Sequence, residues 1–399
     1  MDKEIRRWYN SNFSESKYEA FKKYVAAEYD HEPPFRLAET PVFFDNKFKK
    51  KVLEACEEIN ATITQSNFKE ITRGAIKHPE LQVPNEDYHT RFIQMDFGVC
   101  LNEAGEPSPR LIEVQGFPSL YFFQDLLYRA YVKHFNIPDK YTVHFDGLDS
   151  VRYMDLLRKE IVGEFDPKNV VLLEIQPERQ VTYIDFLGAA AHLGIKVACI
   201  TELKKKGKKL FYVDENGDHI PVHRIYNRVI FDELKQRPDL KREYYFRDEV
   251  DVEWVGHPNW FFRISKYTMP LFDSKYVPEC HYLDQLDTYP DDLNNYVLKP
   301  LYSFAGSGVK LSISEKDLDE IKDKENFILQ RKVNYEPIIV TPTGPAKCEL
   351  RVMMVWENDS PKVRIVNNLV RISKGEMIGV RYNRNKDWVG ASVGFFPRE

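Results

Sequence analysis

The chain has 399 residues, 43% of them apolar and 14% aromatic, and a formal net charge of −5. Its length exceeds one ordinary hydrophobic core, so two or three domains are expected, and its apolar content excludes wholesale disorder. The small charge offers no chain-wide case for nucleic acid, and five scattered cysteines (Cys56, Cys100, Cys199, Cys280, Cys348) without a C-x-x-C pair argue against a zinc site or disulfide framework.

The opening Met1-Asp-Lys-Glu-Ile-Arg-Arg-Trp8 is charged and lacks the apolar centre of a secretory signal. The first ~90 residues read as mainly helical and polar, with helical spacing in Tyr18–Val25 and Phe48–Ile59. Arg91–Leu101 alternates and is rich in Phe, Ile, Met and Val. Asn102–Pro109 is turn chemistry and Arg110–Gln115 a second strand, so a hairpin is predicted. A composition change near Glu164–Lys168 marks a boundary. Beyond it Val170–Glu174 reads as a buried strand, Thr182–Leu193 as a helix stopped by Gly194, and Ile195–Ile200 as another strand. That β-α-β order predicts a parallel, Rossmann-like layer, although no G-x-G-x-x-G follows its first strand. The run Lys204-Lys-Lys-Gly-Lys-Lys209 reads as a solvated turn, Leu210–Val213 with Ile220–Val222 as a hairpin, and Arg224–Val229 as a strand. From about Asp251 short strands and helices alternate to the C-terminus. The longest apolar stretch, Phe186–Ile200, is broken by His192 and Lys196 and is too short to cross a bilayer. Neither a membrane nor nucleic acid is an expected partner, and the expected setting is cytoplasmic.

Three constellations carry chemistry. Glu113 and Gln115 are two apart on a strand and share a face. If the turn sets Leu101 opposite Arg110, Asp96 falls opposite Gln115, and two carboxylates and an amide oxygen converge as Mg²⁺ prefers. The same pattern also describes a solvated acidic hairpin. In Tyr296-Val-Leu-Lys-Pro-Leu-Tyr-Ser-Phe-Ala-Gly-Ser-Gly-Val309 an apolar run delivers Lys299 to a small-residue turn containing Gly306, Ser307 and Gly308, a combination suited to polyphosphate. Lys266, in Arg263-Ile-Ser-Lys-Tyr-Thr-Met-Pro270, could supply a second phosphate charge or be a surface lysine. Phe327-Ile-Leu-Gln-Arg-Lys-Val333 could offer backbone groups to adenine around Gln330, Arg331 and Lys332, or be an ordinary sheet strand. Glu349 and Arg351 share a face of Cys348–Trp356, where a cross-strand ion pair is the simplest reading, and Arg371 is a candidate for gripping a carboxylate. The chain lacks G-x-x-x-x-G-K-[ST], H-E-x-x-H and the H-R-D of the protein-kinase pair.

Taken together, these pieces resemble the circularly permuted ATP-grasp ligases, the group of eukaryotic-type glutathione synthetase and glutathionylspermidine synthase. In that group the metal-binding strands precede the phosphate lysines, as they do here. Met95-Asp-Phe97 with Leu111-Ile-Glu-Val-Gln115 resembles the Asp and Glu-x-Asn metal motif. Ser265-Lys-Tyr267 and Val297-Leu-Lys-Pro300 resemble the two phosphate-lysine segments, and Phe327–Lys332 the adenine-side strand. Ile225-Tyr-Asn-Arg228 is similar to the strand ending in a substrate arginine, and Leu369-Val-Arg371 to a late arginine near the substrate carboxylate. The match runs from about residue 90 to 399. Two residues depart from it. Gln115 replaces Asn, and Gln94 stands where an arginine expected to stabilise an acyl phosphate is usual; Arg91, three residues before Gln94, falls on the opposite face by parity.

The resemblance implies an α/β (α+β) ATP-grasp fold, circularly permuted, with a Rossmann-like pre-ATP-grasp domain. Its expected division is 1–165 (helical segment plus metal-binding strands), 166–250 (Rossmann-like substrate domain) and 251–399 (nucleotide-binding lobes). It implies an ATP-dependent, Mg²⁺-dependent carboxylate–amine ligase acting on a small-molecule acid and amine, in a family often found as homodimers. Arg371 and Arg228 would serve the substrate, Lys266, Lys299, Gly306, Ser307, Gly308, Gln330, Arg331 and Lys332 the nucleotide, and Asp96, Glu113 and Gln115 the metal. A small-molecule kinase and a catalytically weak ATP-binding sensor or scaffold of the same fold are the alternatives.

Overall fold

Alternation along Phe92–Leu101 decides the central sheet. Ile93, Met95, Phe97 and Val99 are fully buried in one core, while Gln94, Asp96 and Gly98 take the other face. The computed structural model describes residues 1–303, 306–379 and 382–398, without the side chain of Asp232. Phe304 and Ala305 of the predicted small-residue turn therefore lie outside the described residues. The antiparallel sheet runs in the order Gly390–Ser392, Arg364–Ser373, Gly344–Val355, Phe92–Leu101, Pro107–Gln115, with Ile339–Thr341 paired to the start of Gly344–Val355. An early hairpin is thus completed by strands from the far end of the chain. Helix Asn46–Ile63, capped by the Asp45 carboxylate on the Phe48 amide, covers the core face with Val52, Cys56 and Ile59.

The hairpin register differs from the expected one. Leu101 pairs with Pro107, not Arg110, and Asp96 pairs with Glu113, not Gln115. An uninterrupted ladder from the turn would have set Ile112 opposite Asp96 and turned Glu113 and Gln115 to the wrong face. A bulge between Asp96 and Phe97 on one side leaves Ile112 unpaired, and the count is restored: Glu113 faces Asp96 and Gln115 faces Gln94.

The expected β-α-β unit is present. Val170–Glu174 and Lys196–Cys199 pair in parallel around helix Tyr183–Leu193, which Gly194 ends in the left-handed region at φ 74°. Arg224–Asn227 and Glu253–Val255 extend this sheet, in parallel, on the other side of Val170–Glu174. The lysine run is not a plain turn. Lys204–Lys206 and the strand beginning at Lys209 form a hairpin around Gly207, continued by His219–Val222. A third layer is the antiparallel sheet Cys280–Tyr282, Phe327–Arg331, Tyr296–Pro300, with Phe327–Arg331 in the middle.

The first ~90 residues are less polar in role than their composition suggests. Helices Lys3–Asn12 and Glu15–Glu28 bury Tyr9, Phe21 and Val25 against helix Tyr121–Phe135. Val42 and Phe43 pair in parallel with Gly394 and Phe395, so the two ends of the chain are joined in one small sheet. Beside this seam Gly390 has φ 128°, and a Cβ there would come within 2.4 Å of the Arg36 carbonyl. Gly390→Ala should destabilise the protein by at least ~2 kcal/mol in denaturant titration, because strain and clash act together. An unchanged midpoint would mean that the seam is not tightly closed.

Candidate functional site

The second face of the central sheet floors a cleft of about 1760 Å³. The three-stranded sheet, the carboxyl ends of the parallel strands and residues within 376–379 and 382–391 complete its walls. That volume exceeds the few hundred Å³ a single drug-sized ligand needs, leaving room for more than one substrate.

Asp96, 1% exposed, lies at the floor among arginines. Arg351 stands opposite it in the ladder and donates from Nε and Nη2 to the two Asp96 oxygens, both at 2.6 Å. Arg371 donates Nη2 to Asp96 Oδ2 at 2.8 Å and pairs also with Glu349, its cross-strand neighbour. Tyr335 donates its hydroxyl to the other Glu349 oxygen at 3.0 Å. Burial raises the Glu349 carboxyl above its ordinary range, against the pull of Arg371. Arg371, read from sequence as a free substrate grip, is therefore partly committed to the protein; its Nε has no hydrogen-bond partner.

The lysines close over Glu113. Ser265 caps the short helix Lys266–Leu271 and sets Lys266 at its start, with Nζ 3.6 Å from Glu113 Oε2 and bonded to the Ser303 carbonyl at 2.6 Å. Lys299 ends the apolar strand Tyr296–Pro300 and donates to the Ile112 carbonyl at 3.0 Å. The bulged residue that corrects the register thus also supplies the acceptor for this lysine. Burial pushes the Lys299 ammonium down to about 8, with Glu113 opposing the shift and Lys266 adding to it. For Glu113 burial works against ionisation, yet Lys266, Lys299, Arg351 and Arg371 hold its carboxyl at about 2. Gly306 and Gly308 both sit at φ 71°, a region that favours glycine, and Leu298 and Lys310 exchange backbone bonds at 3.0 Å, so the turn folds back onto the lysine strand.

The strand expected on the adenine side lies inside its sheet. Phe327–Arg331 is the middle strand of its sheet, so its backbone groups are taken up on both sides. Arg331 pairs with Glu279 and Asp292 at the rim, at 3.0 and 2.9 Å. Gln330 lines the cleft, with its Oε1 buried and unpartnered, and Lys332, Val333 and Asn334 line the cleft beyond it.

At the other end of the cleft Arg228 follows the parallel strand Arg224–Asn227, and Glu174 ends its neighbour Val170–Glu174. Ligands of parallel sheets bind outside such carboxyl ends. Arg228 is only 4% exposed, its Nε and Nη1 lack partners, and the Phe117 and Phe186 rings face it at 5.4 and 5.6 Å. Burial lifts the Glu174 carboxyl to about 8, although Arg228 opposes that shift.

The structure thus brings Glu113, Gln115, Lys266, Lys299, Gly306 and Arg371 to one cleft, with Asp96 buried behind Arg351 and Arg371, Gln330, Arg331, Lys332 and Arg228 around it, and Ser307 and Gly308 in the adjoining turn. As metal ligands they fit unequally. Glu113 and Gln115 face the cleft with oxygen-bearing side chains, although the Gln115 amide nitrogen, not its oxygen, meets Glu113, at 2.8 Å. Among the described residues no group of three His, Cys, Asp or Glu side chains could hold a metal ion. Sequence reasoning passed over Arg351 and Glu349 as a plain ion pair, and over Glu174 and Tyr335 altogether. The one available signal, a charged residue at the end of, or inside, an apolar strand, marks Glu174, Glu349 and Arg351 but not Tyr335.

No protein-family model and no curated protein matches this chain. Among solved structures it is similar to a glutathione synthetase-like effector, GSS30, from Globodera pallida, in its apo form. The two share 13% identity, with 90% of this chain and 94% of that chain covered and a TM-score of 0.58. Likeness over nearly the whole of both chains shows a glutathione synthetase-like fold. Among the described residues no helix is long and apolar enough to cross a membrane.

An anion bound at Lys299 favours its charged form, so binding above the free lysine's titration point must take up a proton. Sulfate binding at pH 8.5, where sulfate itself does not titrate, measured calorimetrically in two buffers of different ionisation enthalpy, should show uptake of up to about 0.8 proton. Lys299→Met should abolish that uptake. Identical enthalpies in both buffers for the unaltered protein would place the anion away from Lys299.

Proposed function

We propose that this chain, with its glutathione synthetase-like fold, is an ATP-dependent carboxylate–amine ligase of the circularly permuted ATP-grasp type. The observation that carries the reading is the meeting of Lys266, Lys299 and Glu113, with Lys299 bonded to a carbonyl 187 positions away in the sequence. Two ammonium groups beside one carboxylate, under a turn containing two glycines, suit a triphosphate better than they suit one another.

In this reading Lys266 and Lys299 hold the phosphates as point charges, and the turn at Gly306 and Gly308 lets backbone approach them. Glu113 and Gln115 would hold magnesium there, which when bound would supply positive charge against the phosphates. Arg371 and Arg228 steer the acid: one oxygen of its carboxylate attacks the γ-phosphorus, ADP leaves, and an acyl phosphate forms. The amine nitrogen then attacks the carbonyl carbon, inorganic phosphate departs, and the nitrogen releases its proton to solvent. The surrounding guanidinium groups stabilise the tetrahedral oxyanion between these steps. Arg228 is given to the acid because its Nε and Nη1 are buried and have no hydrogen-bond partner in the protein.

A second reading keeps the nucleotide and drops ligation. It is favoured by Asp96, whose two oxygens are both taken by arginines. A sensor would bind Mg-ATP without turnover across a broad panel of acids and amines, and a small-molecule kinase would need no amine. The ligase releases ADP only when both an acid and an amine are present. Lys299→Ala should reduce that release by ~100-fold or more. It should lower stability by no more than about 2 kcal/mol, since one buried carbonyl, that of Ile112, is left without its donor. Normal turnover in that variant contradicts the assignment.

A further inference from the structure

Three N–H groups from two arginines meet the Asp96 carboxylate. Arg351 approaches in the in-plane fork that carboxylates bind best, Nε to Oδ1 and Nη2 to Oδ2. Its remaining nitrogen, Nη1, donates to Gln94 Oε1 at 3.1 Å, and Gln94 is itself fixed by its Nε2 on the Ser119 carbonyl at 2.7 Å. Arg371 adds the third bond from the next strand. Gln94, Asp96, Arg351 and Arg371 occupy three adjacent strands, and both arginines line the cleft.

A divalent cation on Asp96 would have to displace the fork and stand against two guanidinium charges. It would also leave Arg351, only 7% exposed, without a counter-ion. An oxyanion meets the opposite conditions. Each guanidinium has N–H capacity beyond its present bonds, and the Arg371 Nε is unpartnered. The rigid frame of Gln94 and Asp96 holds Arg351 in one orientation before any ligand arrives, so little side-chain freedom is lost on binding.

We infer that Asp96 is a positioning residue rather than a metal ligand, and that it fixes Arg351 and Arg371 as a clamp for the phosphoryl oxyanion beyond the two lysines. The inference rests on the ligase reading and adds Arg351 to its machinery. Asp96 and Glu113, paired across the hairpin, then do different work: Glu113 faces the lysines and would hold the metal, and Asp96 serves the arginines.

The test is calorimetric and uses the full chain. Binding of a non-hydrolysable ATP analogue is measured across a Mg²⁺ titration, and binding of inorganic phosphate is measured with ADP and Mg²⁺ present. Glu113→Gln should raise the Mg²⁺ concentration at half-saturation by about tenfold, a loss typical of a metal-site residue. Asp96→Asn should leave that concentration within about twofold while weakening phosphate several-fold, the effect of a released fork. Arg351→Gln should weaken phosphate by about tenfold or more and leave the ATP analogue nearly unchanged. The double variant Asp96→Asn, Arg351→Gln removes both charges of the buried pair, so it tests the same loss in a protein with no stranded charge. An Asp96→Asn shift of the Mg²⁺ midpoint equal to that of Glu113→Gln overturns this inference and leaves the ligase reading standing. Undiminished phosphate binding in the double variant overturns it as well. A wild-type protein that does not bind the ATP analogue overturns both.

Discussion

The cleft depends on one residue without a partner. Ile112 is an insertion in the ladder between Phe92–Leu101 and Pro107–Gln115, and the insertion turns Glu113 and Gln115 onto the face that carries Asp96. Its freed carbonyl accepts the bond from Lys299, so the irregularity that orders one face of a hairpin also anchors a lysine from another sheet. Bulges of this kind re-aim side chains at functional sites because the two-residue period of a strand permits no gradual adjustment.

The second organising feature is electrostatic. Lys266, Lys299, Arg351 and Arg371 surround Asp96, Glu113 and Glu349 in a partly enclosed space. The acids respond differently to the same neighbours. Glu113, closest to the lysines, stays ionised far below its ordinary range, whereas Glu349, beside Asp96 and Glu113, is pushed upward by burial. Lys299 loses part of its affinity for its proton. Four cationic groups thus face three carboxylates, and the Arg371 Nε is left without a hydrogen-bond partner.

How much of this was legible in the sequence follows from which interactions are local. The hairpin, the β-α-β unit and the helix stopped by Gly194 depend on periodicity and on turn residues, and were readable directly. The register was not, because a bulge leaves no local mark: Leu111-Ile-Glu-Val reads as an uninterrupted strand. The convergence of Asp96 and Glu113 was expected, but through a pairing two residues away from the true one, and parity made the two errors equivalent. Arg351 illustrates the other limit. Glu349 and Arg351 were visible as neighbours on one face, yet Arg351 bonds across to Asp96, 255 positions earlier, and only the assembled sheet shows that choice. The aromatic first segment, read as polar and helical, turned out to hold the chain's two ends together through Phe43 and Phe395, a pairing that neither stretch announces alone.

The central claim is that ammonium groups from two distant segments and the Glu113 carboxylate surround a single triphosphate. A crystal structure of the protein with a non-hydrolysable ATP analogue and magnesium tests it most directly. The account predicts phosphate oxygens within about 3 Å of both Lys266 Nζ and Lys299 Nζ, with the metal on Glu113. An analogue bound elsewhere, or one whose phosphates point away from both lysines, contradicts it.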